Sequence, residues 1–98
     1  MKRQVEMEQR MLMAHRIYMD NLQKSLDLLE DEIEEAREMS QICTDEWCSA
    51  TEGVIDDLHK SIYSISEPRW LTEDDSLVIK KLRGRVKDLY MKYRSANA

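Results

Sequence analysis

The chain has no phenylalanine, one proline, two glycines and two cysteines in 98 residues. Each scarcity excludes something. A β-rich domain needs turn residues at short intervals, and three glycines and prolines cannot supply them. Two cysteines are too few for a disulfide-built scaffold. No apolar run approaches the ~20 consecutive residues of a membrane span. Met1, Lys2 and Arg3 are not followed by an uninterrupted apolar segment, so no secretory signal is expected. Cys43 and Cys48 are five apart; two free thiols in a reducing cytoplasm are the expectation, and a local disulfide is the alternative if the backbone brings the two Cβ atoms close.

The motifs of common chemistries are also missing. There is no glycine-rich phosphate loop, no GxSxG and no nucleophile with a base nearby in sequence. The acidic run 30–35 contains no ExxH, which bundle di-iron sites require. The two cysteines and the two histidines, His15 and His59, do not have zinc-ligand spacing. A non-enzymatic protein without metal or cofactor is therefore expected. His59 is followed directly by Lys60, whereas helical phosphotransfer domains usually place a lysine a few residues later. A regulatory or phosphotransfer bundle is accordingly a second alternative only.

Charged residues make up 36% of the chain and apolar ones 42%. Leu, Met, Glu, Lys and Arg favour helix. Leu12, His15, Met19, Leu22, Leu26, Leu29, Ile33, Ala36, Ser40 and Cys43 follow an unbroken 3-4 spacing, and Val5 extends it backward. That predicts one long amphipathic helix over about 4–43 with a coiled-coil-like seam. Thr44, with Asp45 and Glu46 after it, suits the start of a second helix over about 45–66. Its stripe reads Trp47, Ala50, Val54, Leu58, Ile62 and Ile65, with Ile55 beside it. Gly53 inside it suggests a close helix crossing. Pro68 disfavours helix just before itself. Thr72 with Asp75 forms a capping-box pattern for a third helix over about 73–94. Its stripe reads Val78, Leu82, Val86, Leu89 and Tyr93, flanked by Leu77 and Tyr90.

Short connections predict an all-α, up-down-up assembly in a single domain. A forty-residue helix is roughly 60 Å long and its partners about 33 Å, so the shorter helices cover only part of the first. Residues 1–20 are expected to project and residues 21–98 to form the bundle, with Asp20-Asn21 the candidate bend.

Charge divides the chain in the same way. Residues 1–19 hold four basic and two acidic groups, and residues 20–57 hold two and thirteen. Residues 80–98 hold seven basic groups and one acidic. The basic residues of the third helix are therefore expected beside the acidic end of the first.

Five of the seven methionines lie in the first nineteen residues. Methionine is polarizable and flexible, and suits adaptable contact surfaces. The expected function is protein–protein interaction or oligomerisation through Val5, Met11, Leu12, His15, Tyr18, Met19 and Leu22. The expected partner is a second copy, a dimer being favoured, or a heterologous helical protein. The rival reading is nucleic-acid or anionic-surface binding by the basic helix Lys80–Arg94, through Lys80, Lys81, Arg83, Arg85 and Lys87. An overall charge of −5 disfavours it.

Overall fold

The computed structural model describes residues 2–38 and 45–96. They form three helices: α1 (Lys2–Glu38), α2 (Asp45–Tyr63) and α3 (Glu73–Ala96). α1 runs through Asp20-Asn21 without a break. The expected helical ends at Ser40, Cys43 and Thr44 lie outside the described residues.

The core is one continuous cluster. α1 supplies Met19, Leu22, Leu26, Leu29 and Ile33. α2 supplies Ile55, Leu58 and Ile62, with Ile65 just beyond its end, and α3 supplies Ile79, Leu82, Val86, Leu89 and Tyr93. Trp47, Leu71 and Val78 pack on the edge of this cluster. On α1 the core follows the seam read from the sequence.

Beyond α1, Leu58, Ile62, Ile65, Leu82, Val86, Leu89 and Tyr93 are buried as the expected stripes require, and only the first positions of each stripe are shifted by one residue. Val54 is 46% exposed, and Thr51 and Ile55 occupy the buried positions instead. Leu77 is 60% exposed while Ile79 is fully buried. Tyr90, expected as a flank of the stripe, is also exposed. Gly53 does not mark a helix crossing, because a Cβ built there would meet nothing within 4 Å, and the same holds at Gly84.

α1 and α3 run parallel, as up-down-up order requires. Arg16 pairs with Asp75, Asp27 with Arg85, and Glu34 with Lys92. The offset between partners stays near 58 residues along the whole contact, which a parallel pair of helices demands. α3 packs on both α1 and α2, whereas α1 and α2 touch each other little. One flank of α1 is thereby left open beside α2.

The helix lengths differ as the sequence implied. Thirty-seven residues make α1 about 55 Å long, and twenty-four make α3 about 36 Å. α3 begins opposite Arg16, so the first dozen residues of α1 run beyond it. The molecule is 59 Å long and about 20 Å across, with a radius of gyration of 16.7 Å. A compact chain of this size would have about 13 Å.

α2 ends at Tyr63, three residues before the expected boundary. The Ser64 hydroxyl donates to the Ser61 carbonyl, and the Ile65 N–H donates to the Ile62 carbonyl. Such tightened bonds satisfy the last carbonyls of a helix as it stops. Cys48 is disulfide-bonded, which corrects the expectation of a free thiol there. Cys43, the other cysteine, lies outside the described residues.

Candidate interaction face on helix 1

The connector 64–72 fixes where the covered part of α1 stops. It turns at Pro68, whose carbonyl accepts from the Leu71 N–H. At its end Thr72 caps α3. The Asp75 N–H donates to Thr72 Oγ1 at 3.2 Å, and the Thr72 N–H donates back to Asp75 Oδ2 at 3.1 Å. The Thr72 hydroxyl also donates to Asp75 Oδ2 at 2.7 Å. This is the capping box expected from the sequence.

The same carboxylate receives Arg16 in a two-pronged pair, Nε at 2.9 Å and Nη2 at 3.1 Å. Asp75 is 95% buried and held well below the ordinary carboxylate range. The Arg16 hydrogen bond is the main cause; burial opposes it, and the Thr72 hydroxyl and N–H add to the lowering. One acid thus caps α3 and ties it to α1.

Further out, the connector lies over His15 and Glu8. The His15 Nε2–H donates to the Ser66 carbonyl at 3.2 Å, since a carbonyl can only accept. Its ring meets Trp70 edge to face, 5.7 Å between centroids. Arg69 reaches Glu8 at 3.2 Å across an exposed pair. The connector therefore passes the division expected near residue 20 and reaches Glu8.

This splits the seven candidate interface residues. Met19 and Leu22 are 3% and 7% exposed and belong to the core, so neither is open to a partner. They are buried because α3 and the end of α2 reach further along α1 than helix lengths alone implied. Leu12 and His15 are half-buried. Val5, Met11 and Tyr18 remain exposed by about half.

The sequence reading missed Met7, Met13 and Ile17, which are 55%, 62% and 61% exposed. They lie off the seam that marked the helix, so the seam could not point to them. The methionine count alone carried that signal. Together with Val5, Met11 and Tyr18 they form half of the large apolar side chains that are exposed among the described residues.

The basic candidates on α3 also separate. Arg85 turns inward to Asp27 at 2.6 Å and Glu30 at 3.2 Å, and Lys92 joins Glu30 and Glu34. Nearby carboxylates raise the Lys92 ammonium above its usual range, through the Glu34 hydrogen bond first, against partial desolvation. Arg83 lies over the Tyr63 ring at 5.6 Å, and Tyr63 stacks on His59 at 4.5 Å. Lys80, Lys81 and Lys87 are exposed on α3 and make no ion pair among the described residues.

His59 stands at a shallow cleft between α2 and α3, lined by Glu52, Ile55, Asp56 and Tyr90. Glu52 and Asp56 line the same cleft as His59, and their charge disfavours an approaching phosphate. Among the described residues, no three His, Cys, Asp or Glu side chains are grouped to hold a metal ion. No helix among them is long and apolar enough to cross a membrane. No protein-family model matches the chain, and no curated protein or solved structure is similar to it.

Proposed function

We propose that the chain is a non-enzymatic helical interaction module that self-associates through the N-terminal part of α1. One observation carries this reading. Half of the large apolar side chains that are exposed among the described residues lie within residues 5–18, at the end of α1 that α3 covers least. Of these, Met7, Met11 and Tyr18 recur at helical spacing on one side of α1, and a grouped apolar surface of that kind marks a contact site. Methionine suits such a surface because its thioether side chain adapts to a partner's shape. The mode is helix against helix, anchored by side chains three and four residues apart.

The rival reading on α3 is left with Lys80, Lys81 and Lys87, because Arg85 and Lys92 neutralise acids of α1 and Arg83 rests on Tyr63. Three lysines on an acidic protein make a weak polyanion footprint. A cytoplasmic site of action was expected from the sequence. The disulfide at Cys48 weighs against it, since reducing compartments keep thiols free.

Sedimentation equilibrium at tens of micromolar tests the reading. The native chain is expected at twice its 11.7 kDa mass or above. Met7→Asp with Met11→Asp is expected to sediment as a monomer with unchanged helical circular dichroism, since both side chains are exposed. A native chain that is monomeric throughout that range overturns the proposal.

A further inference from the structure

α1 carries a second stripe, distinct from the buried seam. Arg3, Met7, Arg10, Ala14, Ile17 with Tyr18, Asn21, Ser25, Leu28, Glu32 and Glu35 recur at three- and four-residue steps. Such steps put them on one side of a helix. All of them are exposed. Leu28 is 72% exposed, the most of any large apolar side chain among the described residues. This stripe lies on the flank of α1 that α2 leaves open, where Tyr18 borders a shallow cavity lined also by His15, Ser61 and Ser66.

The stripe is polarised. Arg3 and Arg10 stand at its beginning, Glu32 and Glu35 at its end, and apolar or small residues lie between. Around it, residues 1–19 carry a net +2, whereas residues 20–38 hold two basic and eight acidic groups. Among the described residues Arg10 pairs with Glu6 alone, its neighbour one turn away, at 3.5 Å across an exposed pair. Among the described residues Arg3, Glu32 and Glu35 make no ion pair within the chain.

From this polarity we infer that the partner is a second copy of this chain, bound antiparallel along the second stripe of α1. The inference rests on the self-association proposed above. Only the antiparallel arrangement sets the basic beginning of one stripe against the acidic end of the other, at both ends at once. A parallel pair would put arginine beside arginine and glutamate beside glutamate, which is unfavourable. Two-fold symmetry requires the same patch on both copies, and a stripe with opposite charges at its two ends is complementary to its own reverse. In this pair Arg3 and Arg10 of one copy reach Glu32 and Glu35 of the other, and the crossing point falls near residues 18–21. The Met-rich end of each helix then lies along the partner's open flank, beside α2, and completes a four-helix layer there.

A spin label at an exposed position off the stripe distinguishes the orientations. Gln9→Cys is labelled with the Cys48 disulfide left oxidised, and the distance between the two labels is measured by double electron–electron resonance. Antiparallel pairing about residues 18–21 separates the labels by about 27–36 Å along the axis, at 1.5 Å per residue. Parallel pairing brings them side by side, within about 20 Å. Charge reversal adds an independent readout. Arg3→Glu with Arg10→Glu is expected to weaken self-association at least about tenfold, and mixing with Glu32→Arg plus Glu35→Arg is expected to restore it. A dimer with the short distance, or one indifferent to the reversals, overturns the antiparallel pair and leaves self-association standing. A native chain that is monomeric overturns both.

Discussion

The two ends of α1 use similar side chains for opposite ends. From Met19 to Ile33 the seam residues are almost completely buried under α2 and α3, and only Leu28, off the seam, is exposed among the large apolar side chains of that span. From Val5 to Tyr18 most are exposed by half or more. The helix does not change character between them, since both halves are amphipathic and unbroken. What changes is the supply of covering chain. α3 begins at Glu73, opposite Arg16, and the connector reaches only as far as Glu8. Apolar surface that one chain cannot cover is available for another, so position along the rod decides which methionine is core and which is contact surface.

The largest effects are expected where the cover is complete. Ile33 is fully buried at the acidic end of α1, so Ile33→Ala removes side-chain volume from a packed site. A loss of about 3–4 kcal/mol is expected. In a chain of this size that lowers the melting temperature by well over 10 °C. Met13→Ala, on an exposed face outside both stripes, is expected to change stability by less than about 0.5 kcal/mol. Thermal unfolding of both variants at one protein concentration checks the contrast. Similar losses at the two positions would mean that the N-terminal part is covered after all.

The contrast was only partly legible in the sequence. The α1 seam was readable because its 3-4 spacing admits one register. On α3 the apolar residues Leu77, Val78 and Ile79 are consecutive, so periodicity alone could not choose among them. The structure chooses Ile79, one turn after Asp75, because Arg16 fixes that acid against α1. On α2 the pairs Ala50/Thr51 and Val54/Ile55 posed the same ambiguity. The path of the connector over His15 and Glu8 had no local signature, since it depends on residues more than fifty positions apart. Consequently the sequence pattern places Met19 and Leu22 on the open face and does not point to Met7, Met13 and Ile17.

The boundary between the two ends rests on Asp75, which makes it the next place to break the comparison. Asp75→Ala removes the carboxylate half of the capping box and leaves Arg16 without its carboxylate. Losing that half of the box and a charged hydrogen bond is expected to cost about 2–3 kcal/mol. Acid should do the same to the native chain. The carboxyl is held below its unfolded value of about 3.9, so its contribution is complete above that pH. It is lost as pH falls below about 4 and the unfolded state takes up the proton first. Denaturant midpoints measured from pH 6 to pH 2.5 should therefore fall more steeply for the native chain than for Asp75→Asn. Parallel profiles would remove Asp75 from this role.

The smallest expected effect sharpens the comparison from the opposite direction. Gly53 and Gly84 are exposed within helices, and an added methyl group at either would meet nothing. Neither is needed for close packing, so each costs the fold helix propensity without return. Gly53→Ala and Gly84→Ala should each stabilise the chain by about 0.5–1 kcal/mol. Being well separated, the two changes should add. Neither glycine lies on α1, so self-association should be unchanged in the double variant even as its denaturant midpoint rises. A weakened dimer in that variant would show that α2 or α3 carries the contact surface, and the division of α1 into a covered and an open end would then no longer account for association.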